Sequence, residues 1–523
     1  MGTQQPSALV QIHYHDRLGG VRQVMTDYSD AFSAAFGGGV PNRWWCKRSG
    51  SVQWGAAQVE DLPGADYHSF ISERAYRESA ERLTRILLQR LKTLPGGSGP
   101  VAVVGHNLAL GKNPALSEAF AEAARQTGGD GGRYRFYSVL HDFAEQGRFD
   151  LLSKLELLRR SGVAVDAALY AKGAPVHFVA PDQYVRDVTG LSEENLSILP
   201  NLVKIRETTK QLPDAGQAGR LLKQCADRDG LFFNPRLPLY CYPSRMIYRK
   251  NVLEALLLTT VLRGGSLVTG PSGTTAADHR RMHAAVDLAR RYRLSLVIDP
   301  RRCIEPSSAS GTVFEQVNPF HLILPWVDGA VTTSLAEGFG YSLYEPGLYE
   351  IPLTGRFPEG ISPSSGIAAH SLYRRFPVPC SWVHLDSCYR RYCLNLSKLS
   401  QGNLPAKQSF IKAFIQHETV DFGHLGTKAQ ANIIQRILRS ERRKKELLQL
   451  HQQLRSGSLF QRIGRKDLIP PSKKGNADFG KSFVNIFSRP ALPPDPPDWY
   501  RKIAFRYLHR PVAPILTPAA GTD

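Results

Sequence analysis

The sequence predicts an α/β protein with two parallel-sheet domains. Three observations carry this reading. Short apolar runs alternate with segments whose apolar residues recur at helical spacing, over residues 8–199 and again over 238–354. A chain of 523 residues holds two to four domains with sizeable cores. Hydrophobic residues at 42% and charged residues at 21%, with no apolar run of eighteen, describe a soluble globular protein rather than a membrane-spanning one.

In the first half, Ala8 to Tyr14 is a strand with Val10, Ile12 and Tyr14 on one face. The loop His15-Asp16-Arg17-Leu18-Gly19-Gly20 follows, then a helix on Val21, Val24, Met25, Tyr28 and Phe32. This unit lacks the full three-glycine spacing of a dinucleotide site. Glu73 to Leu94 is a long helix, and Val101 to Val104 a buried strand ending in Gly105-His106-Asn107. Asn113-Pro114 supplies an N-cap and a first-position proline for the helix Ala115 to Gln126, which stops at Gly128-Gly129. Arg135 to Leu140 is the next strand and delivers His141-Asp142 at its carboxyl end, where open α/β sheets bind ligands. Each histidine could equally pack or cap at its strand end. Val176 to Ala180 and Leu196 to Leu199 complete this sheet, and Lys204 to Asp229 is polar and helix-prone, read as an interdomain link.

The alternation restarts with a strand at Pro238 to Tyr242, a loop carrying Arg245 and Lys250, and a helix from Asn251 to about Leu262. Ser266 to Thr269, a helix from Thr275 to Tyr292, and Ser295 to Asp299 continue it. Gly270 to Thr275 lacks the Gly-Lys-Ser/Thr core of a phosphate loop, which excludes an ATPase reading. Asp328-Gly329-Ala330 leads into a final strand, and Glu350 to Thr354 into a short one. Residues 331–345 are the most informative stretch. An apolar run feeds a loop with Gly338 and Gly340, a helix opens near Tyr341, and Glu337 and Glu345 stand eight positions apart. Unpaired helix amides suit phosphate, and carboxylates suit sugar hydroxyls. The plainer alternative makes Glu337 a solvated loop charge and Glu345 a first-turn acid.

Arg245-x4-Lys250, followed by Ser334-x2-Glu337-Gly338-Phe339-Gly340-x4-Glu345, resembles the retaining GT-B glycosyltransferases, the group of glycogen and sucrose synthases and bacterial phosphatidylinositol mannosyltransferases. The resemblance implies the GT-B architecture: two Rossmann-like domains facing an interdomain cleft, with a basic helical and Pro-rich C-terminal extension. The expected boundaries are 1–205 for an acceptor domain, 206–234 for the link, 235–440 for a nucleotide-sugar domain with an elaboration at 355–403, and 441–523 for the extension. It further implies that Arg245 and Lys250 neutralise the donor diphosphate and that Glu337 faces the transferred sugar. Gly338, Phe339 and Gly340 would approach the donor, and Glu345 would hold its ribose. The Gly19-Gly20 loop would approach the donor phosphate, and His141, with His106 as second choice, would contact the donor sugar. The family's Ile-Pro-Asn-Gly turn reads Leu199-Pro200-Asn201-Leu202 here, which leaves the hinge open.

The implied activity is metal-independent, retaining transfer of a hexose from a nucleotide-diphosphate sugar to an acceptor hydroxyl, with no cofactor. Expected partners are the nucleotide-sugar and an acceptor sugar, lipid or small anionic molecule. Two alternatives stay open: a phosphorylase or sugar-nucleotide epimerase on the same scaffold, and a non-catalytic basic lipid- or nucleic-acid-binding protein.

The net charge of +20 favours anionic partners. Much of it lies late, from Arg436 to Lys474, and Arg439 to Leu454 reads as a basic amphipathic helix with Leu447, Leu448, Leu450 and Leu454 interleaved. That pattern suits a peripheral membrane contact, a partner protein, or a helix packed on the body. No RNA-binding signature accompanies the charge, so nucleic acid is not expected. The N-terminal residues show no basic stretch followed by an apolar core, so no signal peptide is expected, and the expected location is cytoplasmic. The seven cysteines are scattered and odd in number; Cys388-x4-Cys393 with His384 reads as free thiols rather than a zinc set, and His279-x3-His283 as a basic solvated helix face. Ala429 to Leu438 is read as a helix crossing back to the first domain, and the chain beyond Ile469, with its Pro493–Pro497 run, as an extended or poorly ordered tail.

Overall fold

The computed structural model describes residues 5–17, 19–49, 57–95, 97, 99–129, 132–146, 148–204, 214–273, 275–300, 320, 323–361, 372–399, 406–451 and 472–488. The chain divides into two compact units, Met1–Leu202 with Pro471–His509, and Val203–Pro470 with Arg510–Asp523.

The first unit runs β1 (Ala8–His15), α1 (Gly20–Phe36), β2 (Asn42–Lys47), β3 (Gln58–Asp61), α2 (Glu73–Thr93), β4 (Val101–His106), α3 (Pro114–Thr127) and β5 (Tyr134–Val139). It continues with α4 (Phe149–Arg160), α5 (Val165–Leu169), β6 (Val176–Ala180), α6 (Gln183–Thr189) and β7 (Leu196–Ile198). All seven strands are parallel, in the order β3-β2-β1-β4-β5-β6-β7. β4 and β6 are buried along their whole length, as a sheet covered on both faces requires. Helix starts follow local chemistry: Ser72 caps α2, Asn113 caps α3 ahead of Pro114, and Asp182 caps α6. The strand order reverses between β1 and β4, so the crevice beyond their carboxyl ends is this unit's natural binding place.

The second unit begins with α7 (Ala215–Arg228), β8 (Leu239–Tyr242) and α8 (Val252–Leu256). Then come β9 (Ser266–Thr269), α9 (Ala276–Tyr292), β10 (Leu296–Ile298), β11 (Gly329–Thr332), α10 (Tyr341–Leu348), β12 (Leu353–Arg356) and β13 (Leu372–Tyr373). Six parallel strands lie in the order β10-β9-β8-β11-β12-β13, with the reversal between β8 and β11. β14 (Pro377–Pro379) pairs with β15 (Thr419–Asp421) in an antiparallel ribbon, with α11 (Leu385–Leu399) and α12 (Lys407–Phe414) between them. α13 (Thr427–Leu438) and α14 (Glu441–Leu450) follow, and α15 (Ser472–Phe487) belongs to the first unit. The expected α/β class with two parallel sheets is borne out.

Several local readings are corrected. β2 and β3 have no counterpart among the expected strands; β2 reads Asn-Arg-Trp-Trp-Cys-Lys, whose polar ends hide a strand. The helix expected from Asn251 starts at Val252, because Asn251 is left-handed (φ 57°), and it passes into a π-helical turn at Leu257–Leu262. There Thr259 and Thr260 hydroxyls donate to the Ala255 and Leu256 carbonyls at 2.8 and 2.7 Å, competing with the regular ladder. Leu222, Cys225 and Ala226 of α7 pack in the second unit's core.

α13 does not cross back: Ile433, Ile434 and Ile437 are buried in that same core. The element that joins the first unit from the C-terminal side is α15, a helix in place of the expected extended tail. Its Phe479, Phe483 and Phe487 rings gather around Tyr28, with centroids 6.1, 5.3 and 5.5 Å away. The expected basic helix breaks at Ser440, which caps α14; Leu447 is fully buried and Arg443 lies over the Trp382 ring. Leu447 is thus packed on the body, while Leu450 is 40% exposed. Leu454, Arg455, Arg462, Arg465, Lys466 and the Pro493–Pro497 run lie outside the described residues, as does Cys303. Cys225 is disulfide-bonded, whereas Cys46, Cys241 and Cys380 are free, as are Cys388 and Cys393, for which free thiols are expected. Among the described residues no helix is long and apolar enough to cross a membrane.

A buried ion cluster closes the second unit beneath the site. Arg356, at the end of β12, bonds Glu254 of α8 at 2.8 Å and Asp421 of β15 at 2.7 Å, all three out of solvent. Tyr373 donates to the other Glu254 oxygen at 2.7 Å.

Candidate functional site

Beyond the carboxyl end of β8 the chain turns through Arg245 and forms a single 3-10 turn, Tyr248–Lys250. Asn251 then holds its left-handed backbone by side-chain bonds: Nδ2 donates to Glu254 at 2.7 Å, and Oδ1 accepts from Arg281 at 3.1 Å and Gln430 at 2.9 Å. A non-glycine residue in that conformation is costly, so three buried partners are what maintain it. The loop after β11 is stitched to this turn. The Leu335 amide donates to the Arg249 carbonyl at 2.8 Å, and the Thr333 hydroxyl lies 3.0 and 2.9 Å from the Lys250 and Asn251 carbonyls. Tyr242 of β8 also donates its hydroxyl to the Lys250 carbonyl. On its other side the loop pairs with residue 359: Glu337 N to Glu359 O is 2.8 Å, and Glu359 N to Leu335 O is 2.9 Å.

These bonds bring two cations onto one acid. The Lys250 ammonium contacts Glu337 Oε1, and Arg249 Nη1 lies 3.2 Å from Glu337 Oε2 and 2.6 Å from the Ala336 carbonyl. Glu337 is only 4% exposed, which removes the reading of a solvated loop charge. Burial opposes its ionisation, but Lys250 and Arg249 outweigh that and hold its pKa below the ordinary value. The same burial, with repulsion from Arg249 and Arg245 against the attraction of Glu337, pushes Lys250 down to about 8. Arg245 itself is exposed and close enough to be felt by Lys250.

Of the two loop glycines, Gly340 takes the left-handed conformation, φ 77°, and caps α10. A Cβ there would meet Leu343 Cδ1 at 2.8 Å and Glu337 Cβ at 3.4 Å, so the acid packs against bare backbone. Phe339 stacks on Tyr344 with centroids 4.9 Å apart. Glu345 is the fifth residue of α10 rather than a first-turn acid; it is buried, and its charge helps burial raise the Cys241 thiol in β8. Lys250 and Glu337 thus meet with Arg245 beside them, while Glu345 lies on the next helix against β8. Sequence reasoning missed Arg249, Tyr242, Asn251 and Thr333. Only Arg249 carried a signal, as a second cation beside Lys250.

The remaining predicted residues lie in the first unit. His141, just past β5, is 7% exposed, and its Nε2 has no hydrogen-bond partner among the described residues. Its ring stacks on His106 at 5.9 Å, and His106 Nε2 lies 2.8 Å from Gln11 Oε1. His13 Nδ1 faces the His106 carbonyl at 2.8 Å and is therefore the protonated nitrogen of that ring. Asp142 is held by Asn107 at 2.9 Å and by Arg148. Gly19 is extended at φ 163° and precedes α1, Gly20 is the first residue of that helix, and Leu18 lies outside the described residues. Among the described residues no group of three or more His, Cys, Asp or Glu could hold a metal ion.

Burial lowers His141 to about 4, against a smaller opposing pull from Asp142, and His13 to about 3. Below the unfolded value of 6.5, the unfolded chain takes up protons that the folded unit refuses. Stability is therefore full above pH 6.5 and declines as the pH falls toward 4. Melting temperature against pH should show this, with a shallower acid slope in His141→Gln. An unchanged slope would mean that His141 is not the group responsible.

No family model matches the chain. Mannosylglucosyl-3-phosphoglycerate synthase from Petrotoga mobilis (strain DSM 10674 / SJ95) is 24% identical over 331 residues, 62% of this chain. The match spans 60% of that relative's length. Among solved structures, WaaG, a glycosyltransferase involved in lipopolysaccharide biosynthesis, is 14% identical with TM-score 0.47, covering 92% of this chain and 99% of its own. Sucrose-phosphate synthase from Thermosynechococcus elongatus is 11% identical with TM-score 0.47, covering 86% and 100%. The catalytic domain of starch synthase IV from Arabidopsis thaliana, bound to ADP and acarbose, is 10% identical with TM-score 0.48, covering 93% and 100%.

Proposed function

We propose that the chain is a retaining, metal-independent GT-B glycosyltransferase that moves a hexose from a nucleotide-diphosphate sugar to the hydroxyl of a small anionic acceptor. The observation that carries the reading is the buried Glu337 carboxylate under Lys250 and Arg249 at the switch point of the second sheet. A nucleotide-sugar already holds a good leaving group, so the protein must neutralise the departing diphosphate and position the sugar. Arg245 and Lys250 are the cations for the phosphates, and Glu337 accepts from sugar hydroxyls. Glu345 and the Gly338–Gly340 backbone complete the donor side of the second unit. His141, neutral at pH 7, offers a hydrogen bond to a hydroxyl without adding charge.

As the bond between anomeric carbon and phosphate oxygen breaks, the acceptor oxygen bonds to that carbon from the same face. The acceptor proton passes to the departing phosphate oxygen. Glu337 serves poorly as a nucleophile, since both of its oxygens already lie on cations. The chain's net charge of +20 and the phosphoglycerate named in its curated relative support an anionic acceptor.

A thermal-shift panel of UDP-, GDP- and ADP-sugars tests the donor, since a ligand that binds only the folded state raises the melting temperature. The expected result is stabilisation by one base, and nucleoside diphosphate release only when a phosphorylated or carboxylated acceptor is present. Conversion of the donor without acceptor would point to an epimerase. Salt-sensitive lipid or nucleic-acid binding with no turnover would sink the enzyme reading.

A further inference from the structure

The two cations on Glu337 are held differently. The Arg249 side chain is fixed at two points, its Nη1 bonding both the Ala336 carbonyl and Glu337 Oε2. Lys250 reaches Glu337 through a single ammonium on a flexible stem, with Arg249 and Arg245 both repelling it. An incoming diphosphate relieves that repulsion and offers Lys250 more negative charge than one carboxylate does. If Lys250 were the sole partner of Glu337, its departure would strand a buried acid and let the carboxylate swing or take up a proton.

We propose that Arg249 is a positioning residue that keeps the Glu337 carboxylate ionised and aimed while Lys250 transfers from it to the donor diphosphate. The inference rests on the glycosyltransferase reading and goes beyond it: the adjacent cations do different work, Lys250 on the phosphates and Arg249 on the acid. A planar guanidinium suits this, because it bonds a carbonyl and a carboxylate at once.

The test compares Arg249→Gln, Arg249→Lys and Lys250→Gln for nucleoside diphosphate affinity by calorimetry and for steady-state transfer. Arg249→Gln should hold the dissociation constant within about threefold while lowering kcat by about tenfold or more. Lys250→Gln should weaken nucleoside diphosphate by about tenfold or more. Removing the Arg249 charge also frees Lys250 from a repelling neighbour, so the alkaline limb of the pH–rate profile should move upward. A residue with only a packing role would not move that limb. Arg249→Lys should recover part of kcat, since a cation returns to Glu337.

If the two glutamine variants lose nucleotide affinity alike, or Arg249→Gln turns over normally, the division of labour is overturned while the transferase reading stands. If the unaltered protein binds no nucleoside diphosphate, both readings fall together.

Discussion

Lys250→Ala should lower kcat/KM by about 10²–10³-fold, the loss typical when one preorganised donor is removed from a developing negative charge. The effect is large because the ammonium works where water is excluded; its side chain is 13% exposed. Nucleoside diphosphate alone should bind more weakly as well, since the proposed role of Lys250 puts it on phosphate in both ground and transition states. Glu337→Ala should reduce transfer comparably while sparing nucleoside diphosphate affinity, because the partner proposed for it is the sugar. The fold should survive both changes. In Lys250→Ala the buried acid keeps Arg249, and in Glu337→Ala Arg249 keeps the Ala336 carbonyl while Lys250, whose pKa burial already lowers to about 8, can release its proton. Initial rates, nucleotide calorimetry and melting temperature separate these outcomes. Full activity in either variant would remove that residue from the site.

The strands that were legible in the sequence are those built from aliphatic residues. Val101–Val104 and Val176–Ala180 could be placed because a strand buried on both faces must be apolar throughout. Asn42–Lys47 escaped because its core contribution is Trp44, Trp45 and Cys46 between polar ends, which resembles no simple alternation. α15 escaped behind Lys473, Lys474, Gly475 and Gly480, although Phe479, Phe483 and Phe487 recur every four residues and mark one helix face.

The principal acids and cations of the site were visible because their motif is local. How they meet was not. The ion pairs depend on a left-handed Asn251 held by Gln430, 179 positions away, and on the pairing of Glu337 with Glu359. Contacts at such separation leave no periodic trace. Arg249 was missed for the same reason: its partners are an acid and a carbonyl that only the closed loop brings within reach.

Arg356→Leu should cost about 3–5 kcal/mol of stability, because it leaves two buried acids without their shared cation. Burial raises the Glu254 pKa even with Arg356 present. Asp421 behaves oppositely: Arg356, His424 and the Gly423 amide overcome its burial and hold it well below the usual carboxylate range. Acid should therefore act like the substitution. A depressed carboxylate contributes stability above its unfolded value and loses that contribution as the pH falls through its folded one. The Arg356→Leu variant should accordingly lose part of the acid-dependent unfolding seen in the unaltered protein. Adding Glu254→Gln and Asp421→Asn should recover much of the loss, because neutral amides tolerate burial where unpaired carboxylates do not. The damage should also reach the donor side, since Glu254 Oε2 accepts from the Asn251 amide at 2.7 Å and Asn251 follows Lys250 directly. Denaturant midpoints and nucleoside diphosphate affinity should fall together in Arg356→Leu. A variant that melts early but binds nucleotide normally would show that the cluster supports the unit without setting the position of Lys250.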